Sequence, residues 1–317
     1  MSIMEIKKID IETKEEHGNF RPDSFDWFIW QEHIKQVIKT AIDSSKKRQW
    51  SLGHILFSGP SGFWKTTMAH ILSKQCNAWI KSVTWYAVSK PSELISILNS
   101  LEPGDVLFID EIHRLKPTVE EVLYIAMEDF MIDMVMPEWW NVRIPLNPFT
   151  LVGATTKSES LSQPLKNRFV YQFHFMEYTP SEKQSIIKKY LHSHGIKFGN
   201  ELLEQISQKS DSVPRNIYNL CVKIRDYVVS KNGATMELTD DLWSDFLEHL
   251  KIEDGGITPL HRKYLEVLAE SDRPMWVKAI SLQMWINERA VEEDVEPLLI
   301  KMWKIEKTAG WRILMDE

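Results

Sequence analysis

The sequence predicts an α/β fold in which a parallel-sheet domain is followed by a small all-helical unit and a small mixed C-terminal unit. Three observations carry that expectation. Short continuous apolar runs, HILFS (54–58), VLFI (106–109) and FTLV (149–152), alternate with helical stretches, as strands buried on both faces of a parallel sheet require. From Thr179 to about Leu250 strand signals give way to helical spacing, with Ser181 and Glu182 opening one segment and Pro214 interrupting between others. The run KIEDGGI (251–257), with its paired glycines, then reads as a linker. The chain therefore divides into 1–178, 179–252 and 253–317, with an alternating apolar hairpin, FMIDMVMPEWWNVRIPLNP, projecting over 130–148. The last unit reads as helical through 292–301 and alternating over 304–314.

A chain of 317 residues with 43% hydrophobic and 26% charged content can build two or three compact cores. Its two cysteines, Cys76 and Cys221, suggest neither a disulfide framework nor a zinc cluster, so a reducing, cytoplasmic setting is expected. No signal peptide or membrane-length apolar run is read, and no membrane partner is expected. The net charge of −7 argues against indiscriminate coating of nucleic acid, although a local basic face remains compatible with it.

The chemistry centres on GPSGFWKTT (59–67), which lies between an apolar strand and an amphipathic helix start. Phosphate-binding loops of the form G-x-x-x-x-G-K-[ST] turn backbone N–H groups toward phosphates at a helix N-terminus. The lysine there reaches the β and γ phosphates and the following hydroxyl coordinates magnesium. Gly59, Gly62, Lys65, Thr66 and Thr67 fit that pattern, and Trp64 occupies the place of the second glycine. About 45 residues later VLFIDEIHRL delivers Asp110 and Glu111 at a strand's carboxyl end. There Asp110 would hold magnesium and Glu111 would polarise the attacking water. Alone, an Asp-Glu pair is commonly a solvated strand end; the phosphate loop upstream gives it meaning. The third strand leads into GATTKSESLSQPLKNRF, with Thr156 placed to contact a γ-phosphate and Arg168 placed to reach a neighbouring subunit's nucleotide. Pro214 opens a helix that would point Arg215 back at the nucleotide.

The runs DEIHRLKPTVEEVLYIAMED, GATTKSESLSQPLKNRF, FRPDSFDWFI and Val213-Pro214-Arg215 together resemble the RuvB family of AAA+ motors, from about Arg21 to the C-terminus. The resemblance implies an AAA+ P-loop ATPase domain, a small helical lid and a C-terminal winged helix. It also implies ATP and Mg2+ as cofactors and a homo-hexameric ring driving branch migration on duplex DNA at Holliday junctions. RuvA would be the partner, with a RuvC-type resolvase as a further candidate. Lys65, Asp110 and Glu111 would be catalytic, Thr156 the first sensor, Arg168 the finger acting in trans and Arg215 the second sensor. Arg21, Phe28, Ile29, Tyr178 and Pro214 would join the loop residues around the nucleotide, with Thr66 and Asp110 on the metal. Lys166 stands where the family carries arginine, a swap that matters at a bidentate site. The hairpin, with Met131, Met134, Met136 and Ile144, would dock on RuvA, and Arg289, Lys304, Lys307 and Arg312 would meet DNA phosphates. A catalytically silent AAA+ subunit is the alternative if Trp64 closes the site, and a clamp-loader-type ATPase is a third reading.

The tryptophans raise a separate expectation. At about 7% usage a chain of this length would hold roughly 22 glycines; it has 12, beside 13 tryptophans. Besides Trp64, Trp30, Trp85, Trp276, Trp285, Trp303 and Trp311 stand where the resemblance implies glycine. One base separates the glycine codon GGA from UGA, which some genetic codes read as tryptophan and others as glycine. Decoding UGA as tryptophan in a chain whose host reads it as glycine explains both the excess and the deficit, with GPSGFGKTT as the native loop.

Overall fold

The computed structural model describes residues 22–29, 31–135, 141–232, 236–271 and 273–315. Arg21, Trp30 and Met136, all expected to matter, lie outside them, as does the side chain of Met134.

The first part is a five-stranded sheet ordered β2-β3-β6-β1-β7, with every pairing parallel. Its strands are β1 (Ile55–Ser58), β2 (Ile80–Thr84), β3 (Val106–Asp110), β6 (Thr150–Thr155) and β7 (Tyr171–His174). The three expected apolar runs supply the inner strands β1, β3 and β6, which are almost wholly buried. Helices α1 (Glu32–Arg48), α2 (Lys65–Cys76), α3 (Pro91–Asn99), α4 (Pro117–Asp129) and α5 (Gln163–Asn167) accompany the sheet. Two apolar clusters form around it, one including Phe57, Met68, Ile71 and Val152, the other including Leu107, Ile109, Leu123 and Leu151. Strands β4 (Met131–Val135) and β5 (Asn141–Pro145) make the expected antiparallel hairpin. Ile132 pairs with Ile144 and is buried, which roots the hairpin in the second cluster. Met131 pairs with Pro145, so alternation puts it on the opposite face from Ile144.

Four helices follow: α6 (Pro180–Ser193), α7 (Asn200–Lys209), α8 (Pro214–Asn232) and α9 (Asp240–Leu250). The first begins earlier than Ser181 suggests. Thr179 caps it, accepting from the Glu182 N–H while the Glu182 carboxylate accepts from the Thr179 N–H, and Pro180 fills the first turn. The 254–256 turn holds Gly255 and Gly256 at φ 73° and 88°, a conformation that glycine adopts without steric cost.

The C-terminal unit contains α10 (Pro259–Ala269), α11 (Val277–Met284), α12 (Glu288–Ala290) and α13 (Glu296–Lys301), the last two joined by a π turn at Val291–Val295. Strands β8 (Ile305–Lys307) and β9 (Arg312–Leu314) form the wing. Arg312 does not face outward as a phosphate contact. Its side chain is 3% exposed and donates to Glu296 Oε1 at 2.7 Å and to Glu292 Oε1 at 2.8 Å. The Glu296 side chain is 1% exposed and also accepts from the Tyr264 hydroxyl and pairs with Lys307. The reason is local: three hydrogen-bond donors surround a carboxylate in the core, and the guanidinium follows it inside.

Removing Glu296 leaves the buried guanidinium with the half-exposed Glu292 as its remaining carboxylate partner among the described residues, a loss toward the lower end of the about 3–5 kcal/mol of a broken buried pair. Glu296→Ala should therefore unfold at markedly lower denaturant concentration, while the joint change Glu296→Leu with Arg312→Met should recover most of the midpoint. Equal midpoints for the parent and Glu296→Ala would show that the network contributes nothing.

Candidate nucleotide site

The loop joining β1 to α2 leaves the sheet at its carboxyl end, where open α/β sheets place ligands. Its backbone bends through three left-handed residues, Gly59 (φ 139°), Gly62 (φ 82°) and Trp64 (φ 56°). At two of these a side chain has no room. A Cβ on Gly59 would come within 2.7 Å of the Phe175 carbonyl, and one on Gly62 within 2.6 Å of Val213 Cγ1. At position 64 the indole escapes sideways, lying edge-on to Phe28 at 6.0 Å between ring centres. The left-handed backbone still carries a strain of about 1–2 kcal/mol for a non-glycine residue.

Around the loop is an open cleft of about 240 Å³, lined by residues that include Gly62, Trp64, Lys65, Thr66, Thr67, Asp110, Glu111, Thr156 and Arg215. Lys65 is buried, and its ammonium donates to the Gly59 and Pro60 carbonyls at 2.7 and 2.8 Å. Burial lowers its pKa to about 8, against the pull of Glu111 and Asp110. Burial raises the Asp110 carboxyl above its ordinary range, the Glu111 N–H and Lys65 working the other way. Glu111 accepts from the Thr156 N–H at 3.2 Å and from its hydroxyl at 3.0 Å. Glu111 is itself left-handed at φ 49°, a strain of the kind that gathers at functional sites.

The helical unit closes the cleft from above. Asp211 accepts from the Val213 N–H at 2.8 Å and from Asn216 at 2.6 Å, setting the start of α8, where Pro214 occupies the first turn. Arg215 donates its backbone N–H to the Gly62 carbonyl at 3.4 Å. Tyr218 and Asn219, one turn on, also line the cleft; sequence reading missed them, although i+3 and i+4 from Arg215 share its face. Phe28 and Tyr178 are buried in the adjoining core and Ile29 packs against it. The Tyr178 hydroxyl has no hydrogen-bond partner among the described residues, as suits a place awaiting a polar ligand.

Arg168 is not in this cleft. Its guanidinium donates to the Tyr124 and Pro164 carbonyls, pairs with Glu128 at 2.9 Å and stacks on the Tyr124 ring. In the C-terminal unit Arg289 pairs with Glu293 and Lys307 with Glu292 and Glu296, while Lys304 is half-buried where the wing begins.

Three of the expected glycine positions behave as such. Trp64, Trp285 and Trp303 have φ 56°, 59° and 56°, and the latter two are 90% and 81% exposed. Trp276 has φ −78°, and Trp85 and Trp311 are not left-handed either, so backbone geometry gives no case for glycine there.

A phosphate loop at the carboxyl end of this parallel sheet, with paired acidic residues on the next inner strand and a helical lid supplying an arginine, defines a P-loop nucleotide-binding protein of the AAA+ class. The match to the family described as Holliday junction DNA helicase RuvB P-loop domain spans residues 20–175, and that to the RuvB C-terminal winged helix domain spans 254–317. The chain belongs to the RuvB family. It is 38% identical over 315 residues to the Holliday junction branch migration complex subunit RuvB of Helicobacter pylori strain J99, covering 98% of this chain and 93% of that one. It is 39% identical over 316 residues to the subunit of the same name from Campylobacter fetus, covering 98% and 91%. The solved Thermotoga maritima RuvB Holliday junction branch migration motor superposes with a TM-score of 0.78 at 34% identity, covering 93% of this chain and 95% of that one.

Trp64→Gly should relieve the backbone strain and free the room beside Phe28. Titration with a fluorescent ATP analogue should then show affinity at least about tenfold higher than in the chain as written, the factor that about 1.4 kcal/mol represents. Equal affinities would mean that the indole is accommodated.

Proposed function

We infer that the chain is an ATP-hydrolysing DNA translocase that drives branch migration at Holliday junctions in recombination and repair. The observation that carries this is the convergence of Lys65, Thr66, Asp110, Glu111, Thr156 and Arg215 on one cleft, in a chain with full-length similarity to branch-migration subunits. Lys65 would leave its loop carbonyls for the β and γ phosphates, Glu111 would orient the attacking water, and Thr156 and Arg215 would sense the terminal phosphate. Thr66 and Asp110 would hold Mg2+, which supplies charge neutralisation at the phosphates. Arg21, Phe28, Ile29 and Tyr178 would surround the base.

Arg168, held 2.9 Å from Glu128 outside its own subunit's cleft, suits a finger acting on a neighbour's nucleotide in a homo-hexamer. The domains would divide at 178 and 252, with the hairpin docking on RuvA through Ile144, Met134 and Met136, and Arg289, Lys304 and Lys307 meeting duplex phosphates. A RuvC-type resolvase would act downstream. Among the described residues no helix is long and apolar enough to cross a membrane; the chain would act in the cytoplasm.

A silent subunit is the second reading, and Trp64 alone favours it. Against it, a site released from hydrolysis has no chemical reason to keep every other catalytic side chain in place. The left-handed backbone at Trp64, Trp285 and Trp303 supports UGA-encoded glycine at those three positions. Peptide sequencing of protein from its own host distinguishes the two: glycine at 64 supports recoding, and tryptophan there the silent subunit.

Duplex DNA should stimulate ATP hydrolysis by the Trp64→Gly chain. Asp110→Asn and Glu111→Gln should each lower turnover at least about a hundredfold while nucleotide remains bound. Mixing the inactive Arg168→Ala and Lys65→Ala subunits should restore part of the activity, because one class of mixed interface regains both groups. Parent-level turnover in the carboxylate variants, or no recovery at any mixing ratio, would contradict these roles.

A further inference from the structure

His113 follows the acidic pair on the 3-10 turn Ile112–Arg114, and none of the roles above uses it. Its side chain is 7% exposed, and Nδ1 lies 3.1 Å from Glu111 Oε2 and 2.9 Å from Thr155 Oγ1. Thr155 is fully buried at the end of β6, and its hydroxyl oxygen already accepts from the Lys157 N–H at 3.0 Å. The imidazole is thus seated against the end of β6, one residue before the first sensor. Glu111 Oε2 accepts from the Thr156 N–H and hydroxyl and lies 3.1 Å from His113 Nδ1, whereas among the described residues Oε1 has just the longer Thr156 contact at 3.3 Å.

We propose that His113 is a positioning residue for hydrolysis: seated against the Thr155 hydroxyl, its Nδ1–H faces Glu111 Oε2 and draws that oxygen, so that Oε1 is the oxygen left to orient water. A lone pair on Nδ1 would face the lone pairs of the ionised carboxylate, so the approach at 3.1 Å is attractive only with the proton on Nδ1, which then lies between Glu111 Oε2 and the closer Thr155 hydroxyl oxygen at 2.9 Å. The left-handed backbone of Glu111 gives this anchor a purpose. The turn aims the side chain from a strained main chain, and the imidazole and Thr156 hold the rotamer from the far side. Burial lowers the His113 pKa against the pull of Glu111, which favours the neutral ring.

This assignment rests on the hydrolytic reading of the cleft, so its test combines a measurement that needs no ATP with one that does. Nitrogen-15 NMR of the full chain should find His113 as the Nδ1–H tautomer; the Nε2–H tautomer would overturn the proposal. In the Trp64→Gly chain, His113→Ala should lower kcat about tenfold with nucleotide affinity unchanged. His113→Asn, whose amide N–H falls near the Nδ1 position, should restore much of that loss. In a Glu111→Gln background, His113→Ala should cause no further loss. Equal losses in the alanine and asparagine variants, or an additive loss beside Glu111→Gln, would overturn the proposal. Absence of turnover in the Trp64→Gly chain would instead count against the hydrolytic reading, with the tautomer still deciding whether His113 holds Glu111.

Discussion

The site depends on one constraint: the phosphate loop must turn through left-handed backbone at positions 59, 62 and 64 while other parts of the chain press against it. Gly59 meets the backbone leaving β7, and Gly62 meets Val213 just before α8. The bare faces of these glycines let the sheet and the helical lid close on the loop from two sides. Arg215 reaches the cleft because α8 starts against Gly62. Position 64 obeys the same backbone geometry with the largest side chain available, and its indole is displaced toward Phe28 and the space expected for a base.

Electrostatics point the same way. Lys65 and Asp110 are both disfavoured in their charged forms by burial. Neither is satisfied by a direct ion pair to the other among the described residues. Lys65 uses loop carbonyls, and Asp110 accepts from the Glu111 N–H at 3.0 Å. A site that keeps an ammonium and two carboxylates apart in a half-dry cleft suits an anionic ligand bound with a cation. Burial that disfavours those charges would also strengthen their attraction to such a ligand.

The inner strands were legible in the sequence because burial on both faces leaves continuous apolar runs, as in VLFI and ILF. The outer strands β2 and β7 were not, since IKSVT and YQFH are half-exposed, short and mixed in polarity. The loop lysine and threonine and the paired carboxylates could be read because their chemistry is local in sequence. Tyr218, Asn219 and His113 could not, because their roles arise only when the lid, a 3-10 turn and a neighbouring strand meet. Arg312 shows the reverse error: a basic residue on a wing suggests a phosphate contact, but Glu296 beneath it draws the guanidinium into the core. The tryptophans at 64, 285 and 303 lie between these cases, since composition raised the suspicion and only backbone φ separated them from Trp85, Trp276 and Trp311.

On this reading the cleft powers movement of DNA strands. The most direct measurement follows a labelled synthetic four-way junction on a gel with the Trp64→Gly chain, RuvA and ATP. Conversion to duplex products should require RuvA and stop when ATP is replaced by a non-hydrolysable analogue. Steady ATP hydrolysis without junction conversion, or conversion without hydrolysable ATP, would contradict that reading.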